Sequence, residues 1–325
     1  MKIKNLFVLS LAALSFAACS NEDEPIAPQE GSLVVDLSSV AAVSKATTET
    51  GIGAESHLNT VIVYAFGKDD ALYGAPRTIN VGDDSNTTLK WQLPEGSYTI
   101  AAVSGLDQFS DVTLSTLPEK VVKLVDNSRE KFVMYGTATV EIKGGENNSA
   151  HIDVARVLAG VKLVNIKTKF AESVPEIYKN ATKTLESIKI VASKESALLS
   201  GAVKSDAKTT DEDNMTRAKF EDGNAITITA DDIDASNLTT AARAYACPGA
   251  ITRITIGVNY KEIGPKYYSV KVTSLAANTM YGLQVTITGI GSDDPDNPTP
   301  VGNGDYTIKA QDWTTSEVIE GNIEY

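Results

Sequence analysis

Short apolar runs with polar punctuation dominate the chain. The runs "NTVIVYAF" (Asn59 to Phe66), "GSYTIAAV" (Gly96 to Val103), "FVMYGTATVEI" (Phe132 to Ile142) and "GVKLVNIKTKF" (Gly160 to Phe170) are rich in Val, Ile, Thr and Tyr. So are "SIKIVA" (Ser187 to Ala192), "AITITA" (Ala225 to Ala230), "ITRITIGVNY" (Ile251 to Tyr260), "YYSVKVTSL" (Tyr267 to Leu275) and "YGLQVTITGI" (Tyr281 to Ile290). Turn residues part them, as in "GKDD", "LPEG", "KGGENN" and "KEIGP". Many short strands with polar turns predict an all-β chain built of sandwiches. Helical patterns are scarce: Leu114 to Leu124 suits a helical turn or two, and Asp231 to Ala244 has capping residues without an apolar stripe.

The two ends carry the most specific patterns. In "LVVDLSS", Leu33, Val35 and Leu37 share one face, while Asp36 and Ser38 lie with Val34 on the other. This predicts a strand, followed by the small-residue stretch "SVAAVSKATTETGIG", in which Lys45, next to Ala46, is open to a trypsin-like protease. At the far end, "EVIEGNIEY" places Ile319, Gly321, Ile323 and Tyr325 on one face and Val318, Glu320, Asn322 and Glu324 on the other. An uncovered apolar edge strand invites association. That strand therefore either closes its own domain or pairs with another molecule.

At the start, Lys2 and Lys4 precede a mostly apolar run from Leu6 to Ala18, shorter than the roughly 20 helical residues that span a bilayer. This is the pattern of an export signal. Ala17 and Ala18 before Cys19 resemble the lipobox of a bacterial lipoprotein, in which the cysteine takes a lipid and becomes the new N-terminus; Phe16 stands where an aliphatic residue is usual. Ser20 to Glu24 is similar to the acidic tag of surface-exposed lipoproteins of Bacteroidota. The competing reading is an ordinary secretory signal with an incidental cysteine. On either reading the first 18 residues lie outside the fold.

What remains suffices for two domains of ordinary size. The composition of the whole chain is globular, at 42% hydrophobic and 22% charged. A formal charge of −13 repels a phosphate backbone, which excludes nucleic acid as a partner. Cys247 has no partner once Cys19 carries lipid, so stability must come from burial, and Cys247 reads as a small buried hydrophobe. The two histidines, His57 and His151, sit far apart, and no HExxH, GxSxG or CxxC spacing occurs. Acidic residues are abundant, but nothing singles out a pair for glycoside chemistry. No enzyme, cofactor or catalytic residue is expected. "GSDDPDNPTPVGNGD" (Gly291 to Asp305) clusters oxygen ligands, yet its prolines break the alternation a calcium loop needs, so it reads as a loop without a metal. "SDAKTTDEDNMTR" (Ser205 to Arg217) reads as a solvated polar insertion.

"LPEGSYTIAAV" (Leu93 to Val103), "DVARVLAGVKLVNIK" (Asp153 to Lys167) and above all Ala276 to Trp313 resemble the fimbrillins, the major subunits of Bacteroidales type V pili. Asn278 and Tyr281 match the family's opening of its late strand, and Asp312 and Trp313 its close of the penultimate one. Ser104 departs from the usual asparagine and Lys45 from the usual arginine. The resemblance implies two transthyretin-like β-sandwich domains, in a chain divided as signal peptide 1–18, lipidated pro-segment 19–45, N-terminal domain 46–150 and C-terminal domain 151–325. It implies export to the outer membrane with lipid (palmitate) on Cys19, then cleavage at Lys45–Ala46 by a trypsin-like surface protease. The strand bearing Leu33, Val35 and Leu37 then departs. The C-terminal strand of the next copy, through Ile319, Ile323 and Tyr325, fills the groove. The expected product is a head-to-tail cell-surface fimbria with anchor and tip subunits as further partners. The rival readings are an anchor or tip subunit of the same pilus, and a glycan-binding surface lipoprotein.

Overall fold

The computed structural model describes residues 29–39, 58, 60–81, 88–128, 131–210, 226–230, 242–311 and 313. The first half holds β1 (Glu30–Ser39), β2 (Thr60–Phe66), β3 (Arg77–Asn80) and β4 (Thr88–Pro94). After these come β5 (Gly96–Ser104), β6 (Val121–Lys123), β7 (Met134–Ile142) and β8 (Asn147–Arg156). Seven of them line up in the order β3-β2-β5-β7-β8-β1-β4. Strands β7 and β8 are ladder-paired only at Met134 with Arg156 and Tyr135 with Ala155. Away from that point the two arms of this hairpin carry no ladder, and they meet again at the Lys143–Glu146 turn. One core fills the space, with Leu33, Val35, Trp91, Leu93 and Ile152 from the β8-β1-β4 side and Val61, Val63, Ile100 and Val103 from the other.

The second half begins with β9 (Ala159–Thr168), the short α1 (Glu176–Asn180), β10 (Lys183–Val191), β11 (Ser193–Lys194), β12 (Ser196–Leu198) and β13 (Thr209–Thr210). It continues with β14 (Thr227–Ile228), β15 (Arg243–Ala246), β16 (Gly249–Ala250), β17 (Arg253–Tyr260) and β18 (Gly264–Val270). The last are β19 (Ser274–Leu275), β20 (Met280–Ile287), β21 (Thr299–Pro300) and β22 (Tyr306–Gln311). Two sheets, β14-β10-β17-β18-β21 and β15-β9-β20-β22, enclose a second core around Leu163, Ile188, Ile256 and Leu283. The chain is thus all-β, as its pattern predicts. Among the described residues no helix is long and apolar enough to cross a membrane.

Several expectations shift. The boundary expected at Ala150 falls inside β8, which pairs with β1 through that position. The chain changes sheets only at Val157–Leu158, between β8 and β9. Leu114 to Leu124 makes one turn, closed by the Leu117 N–H donating to the Thr113 carbonyl at 3.0 Å. It then extends as β6, because Pro118 lacks a donor and the paired valines suit a ladder. That ladder is with β12, from the other half. Residues 231–241 lie outside the described set, and the segment's end enters β15. The run 225–230 contributes only the short β14. In the polar insertion, Lys194 Nζ donates to the Ala207 carbonyl at 2.7 Å, and β13 pairs with β11; residues 211–217 lie outside the described set. The Asp/Asn-rich loop runs alongside β18, with the Tyr267 N–H donating to the Ser292 carbonyl at 2.8 Å and Lys266 paired with Asp293. Among the described residues no cluster of His, Cys, Asp or Glu is placed to hold a metal ion.

The two halves meet through an aromatic junction. Phe132 packs edge-on against Tyr245 at 5.2 Å and Trp313 at 5.6 Å, and Tyr245 stacks on Trp313 at 5.9 Å. The buried Arg156 guanidinium lies 4.8 Å from the Trp313 ring centre. Asn278, at φ +50°, holds the crossover: its Oδ1 accepts the Arg156 N–H at 3.1 Å, and its own N–H donates to the Leu158 carbonyl at 2.9 Å. Asparagine is one of the few side chains that tolerates this left-handed backbone. Cys247 lies in the same core, fully buried, and burial pushes its thiol up to about 12, which keeps it protonated and unreactive.

Candidate functional site: the groove around the first strand

Strand β1 is an interior strand. It runs antiparallel to β4, with Leu33 opposite Trp91 and Val35 opposite Leu89, and parallel to β8, with Val35 opposite Ala150 and Leu37 opposite Ile152. The alternation read from the sequence holds: Leu33 and Val35 have no exposed surface, and Leu37 has 3%. Each such side chain contributes roughly 1.5–3 kcal/mol on full burial, and two backbone ladders add to it. β4 pairs with nothing else among the described strands. Taking β1 away leaves Trp91 and Leu93 over an opened core, with unpaired backbone on both walls.

The entrance of the groove is the β7–β8 turn, Lys143 to Glu146. Its backbone grips β1, with the Gly145 N–H donating to the Glu30 carbonyl at 2.9 Å and the Ser32 N–H to the Glu146 carbonyl at 3.0 Å. Asn148 braces the turn: its Oδ1 accepts the Lys143 N–H at 3.2 Å, and its Nδ2 donates to the Ser32 carbonyl at 3.3 Å. Gly31 lies against this turn, where a β-carbon would stand 2.4 Å from the Lys143 carbonyl oxygen and 2.9 Å from Ile142 Cγ2.

The solvent face of β1 carries polar contacts. His151 Nδ1 lies 3.0 Å from the Asp36 carboxylate, its Nε2 lies 3.2 Å from Asp153 and from the Ser38 hydroxyl, and Ser38 also bonds Asp153. All of these are solvent-exposed, so each adds at most about 1 kcal/mol. His151 therefore marks the outer seam of β1. The groups it touches, Asp36, Ser38 and Asp153, line the outer face of the sheet.

Of the residues singled out in the sequence, Leu33, Val35 and Leu37 come together in this groove. Cys19, Lys45, Ala46, Ile319, Ile323 and Tyr325, together with His57 and Asp312, lie outside the described residues. Trp91 and Trp313 are core residues, at 5% and 3% exposure, as their strand-like contexts suggest. The groove walls were not among the strands expected. Their signal was present, since Leu89, Trp91 and Leu93 alternate in β4, and Ala150, Ile152 and Val154 alternate in β8. Charged and amide residues between them masked it.

No family model matches the chain. Solved structures do. A protein assigned to cell adhesion from Parabacteroides distasonis aligns at a TM-score of 0.60 and 15% identity, over 88% of this chain and 98% of its own. Another so assigned, from Bacteroides eggerthii, aligns at 0.58 and 14%, over 88% and 96%. A fimbrilin from Porphyromonas gingivalis aligns at 0.54 and 14%, over 86% and 96%. At such identities what is shared is the fold, and it is shared along most of each chain. The protein has a fimbrilin-type all-β fold.

Proposed function

We propose that this chain is a structural, non-enzymatic stalk subunit of a cell-surface fimbria, formed of two sandwich domains behind a lipoprotein signal. Lipid on Cys19 holds the precursor at the outer membrane. A trypsin-like surface protease cuts Lys45–Ala46, β1 leaves with the lipid, and Ile319 to Tyr325 of another copy enters the vacated groove. The observation that carries this reading is the position of β1: an interior strand near the N-terminus, seated by three apolar side chains between walls that do not pair with each other. Refilling such a groove is β-augmentation. Because donor and acceptor are different surfaces, the contact is head-to-tail and propagates. Of Tyr260, Tyr267 and Tyr268, the rings available for sugar stacking in a glycan-binding reading, Tyr260 and Tyr268 are buried, at 0% and 3% exposure, and Tyr267 is half-buried.

The test is limited digestion of the chain carrying Cys19→Ser with a lysine/arginine protease, followed by N-terminal sequencing and an unboiled denaturing gel. A new N-terminus at Ala46 and a ladder of resistant oligomers is the expected result. A trimmed product that stays monomeric would overturn it.

A further inference from the structure

The groove has a register mark. Most of the inward positions along β1 accept side chains, but Gly31 does not, because the atom 2.4 Å from its would-be β-carbon is the Lys143 carbonyl oxygen. That oxygen belongs to a turn braced by Asn148 and cannot swing aside like a flexible side chain. A real β-carbon essentially never approaches an oxygen so closely, so any strand that fills the groove to this depth needs glycine there.

We infer that residues 320–325 of a second copy enter the β1 groove in one fixed register, with Gly321 in the place of Gly31. The inference rests on the donor-strand reading above and adds the alignment, the direction and the anchors. The two segments read alike, Glu30-Gly31-Ser32-Leu33 against Glu320-Gly321-Asn322-Ile323. With the glycines matched, Ile323 takes the Leu33 pocket and Tyr325 the Val35 position, where the space left by Leu37 on the same face accommodates the larger ring. The incoming strand runs as β1 does, antiparallel to β4 and parallel to β8. It inherits the backbone bonds that the turn makes with Glu30 and Ser32, because these require no particular side chain. Glu324 then lies across from the exposed Lys90, which in the intact chain is opposite Val34. Ile319 falls on Gln29, which is exposed, and so carries no anchoring role in this register.

The alternatives fail at the same place. Sliding the donor onward by two or by four residues keeps its apolar face inward but sets Ile319 or Glu317, respectively, against the Lys143 carbonyl. In the second case Gly321 also leaves the Val35 site empty.

The test uses the full chain with Cys19→Ser, trimmed as above, in a series of donor variants read on the unboiled gel. Gly321→Val and Ile323→Asp are each expected to cut the ladder at least tenfold. A cysteine pair guards against variants that fail to fold. Lys90→Cys with Glu324→Cys is expected to form a disulfide between copies, whereas Lys90→Cys with Glu320→Cys or Asn322→Cys, the partners in the shifted registers, is not. A ladder that survives Ile323→Asp would overturn the donor-strand reading itself. A ladder lost with Ile323→Asp but indifferent to Gly321→Val, or crosslinking through Glu320→Cys or Asn322→Cys, would leave that reading standing and overturn the register.

Discussion

A β-carbon at Gly31 has no room, and that single steric fact ties a residue near one end of the chain to the turn between β7 and β8. Gly31→Val is expected to cost about 1–3 kcal/mol through overpacking against a backbone oxygen. Because the strain falls on β1 alone, the variant should also release β1 to a lysine/arginine protease faster than the parent. A urea titration and a digestion time course would measure both, and unchanged values would mean that β1 is not seated at this depth. Leu33, Val35 and Leu37 were legible from period-two alternation, since burial on one sheet face demands it. The demand on Gly31 was not legible, because the atom that imposes it belongs to Lys143, more than a hundred positions along the chain.

At the level of elements, β4 depends on β1. It has no other strand partner among the described residues, so its amides owe their protection to the β1 ladder. Hydrogen exchange at the alternate amides of Leu89 to Leu93 that face β1 should be slow in the intact chain and fast once β1 is cleaved and released. It should slow again in oligomers. Slow exchange in the cleaved monomer would mean that the groove closes by itself. Strand existence was readable where Val, Ile, Thr and Tyr cluster, as in β5, β9, β17 and β20. It was missed in β4 and β8, whose apolar positions alternate with Lys, Gln, His and Asp, and the boundary expected at Ala150 fell inside β8 for the same reason. The partners of β6 and β12 were beyond any local pattern, since each strand is three residues long and pairs across the two halves.

For the whole molecule, the junction decides whether the two halves behave as one body. Trp313 follows β22 in the second half, yet its ring belongs to the first core, against Phe132, Tyr245 and Arg156. Trp313→Ala is expected to cost about 3–5 kcal/mol, the usual range for emptying a buried aromatic site. Calorimetry should then separate one unfolding transition into two, as each core melts with less help from the other. A single transition with an unchanged midpoint would show that the junction does not couple them. A filament subunit that transmits pull from its groove to its far end needs such coupling, which places this prediction beside the assembly reading.

The sequence by itself determined the all-β class, the apolar face of β1 and the burial of both tryptophans. These follow from local periodicity and residue chemistry, which each segment carries alone. Only the tertiary structure decided that β1 is interior, which strands wall it, where one half gives way to the other, and that Gly31 admits no side chain. Those are facts about which distant segments meet. Backbone pairing is indifferent to side-chain identity, so a strand's neighbours emerge only when the whole chain has packed.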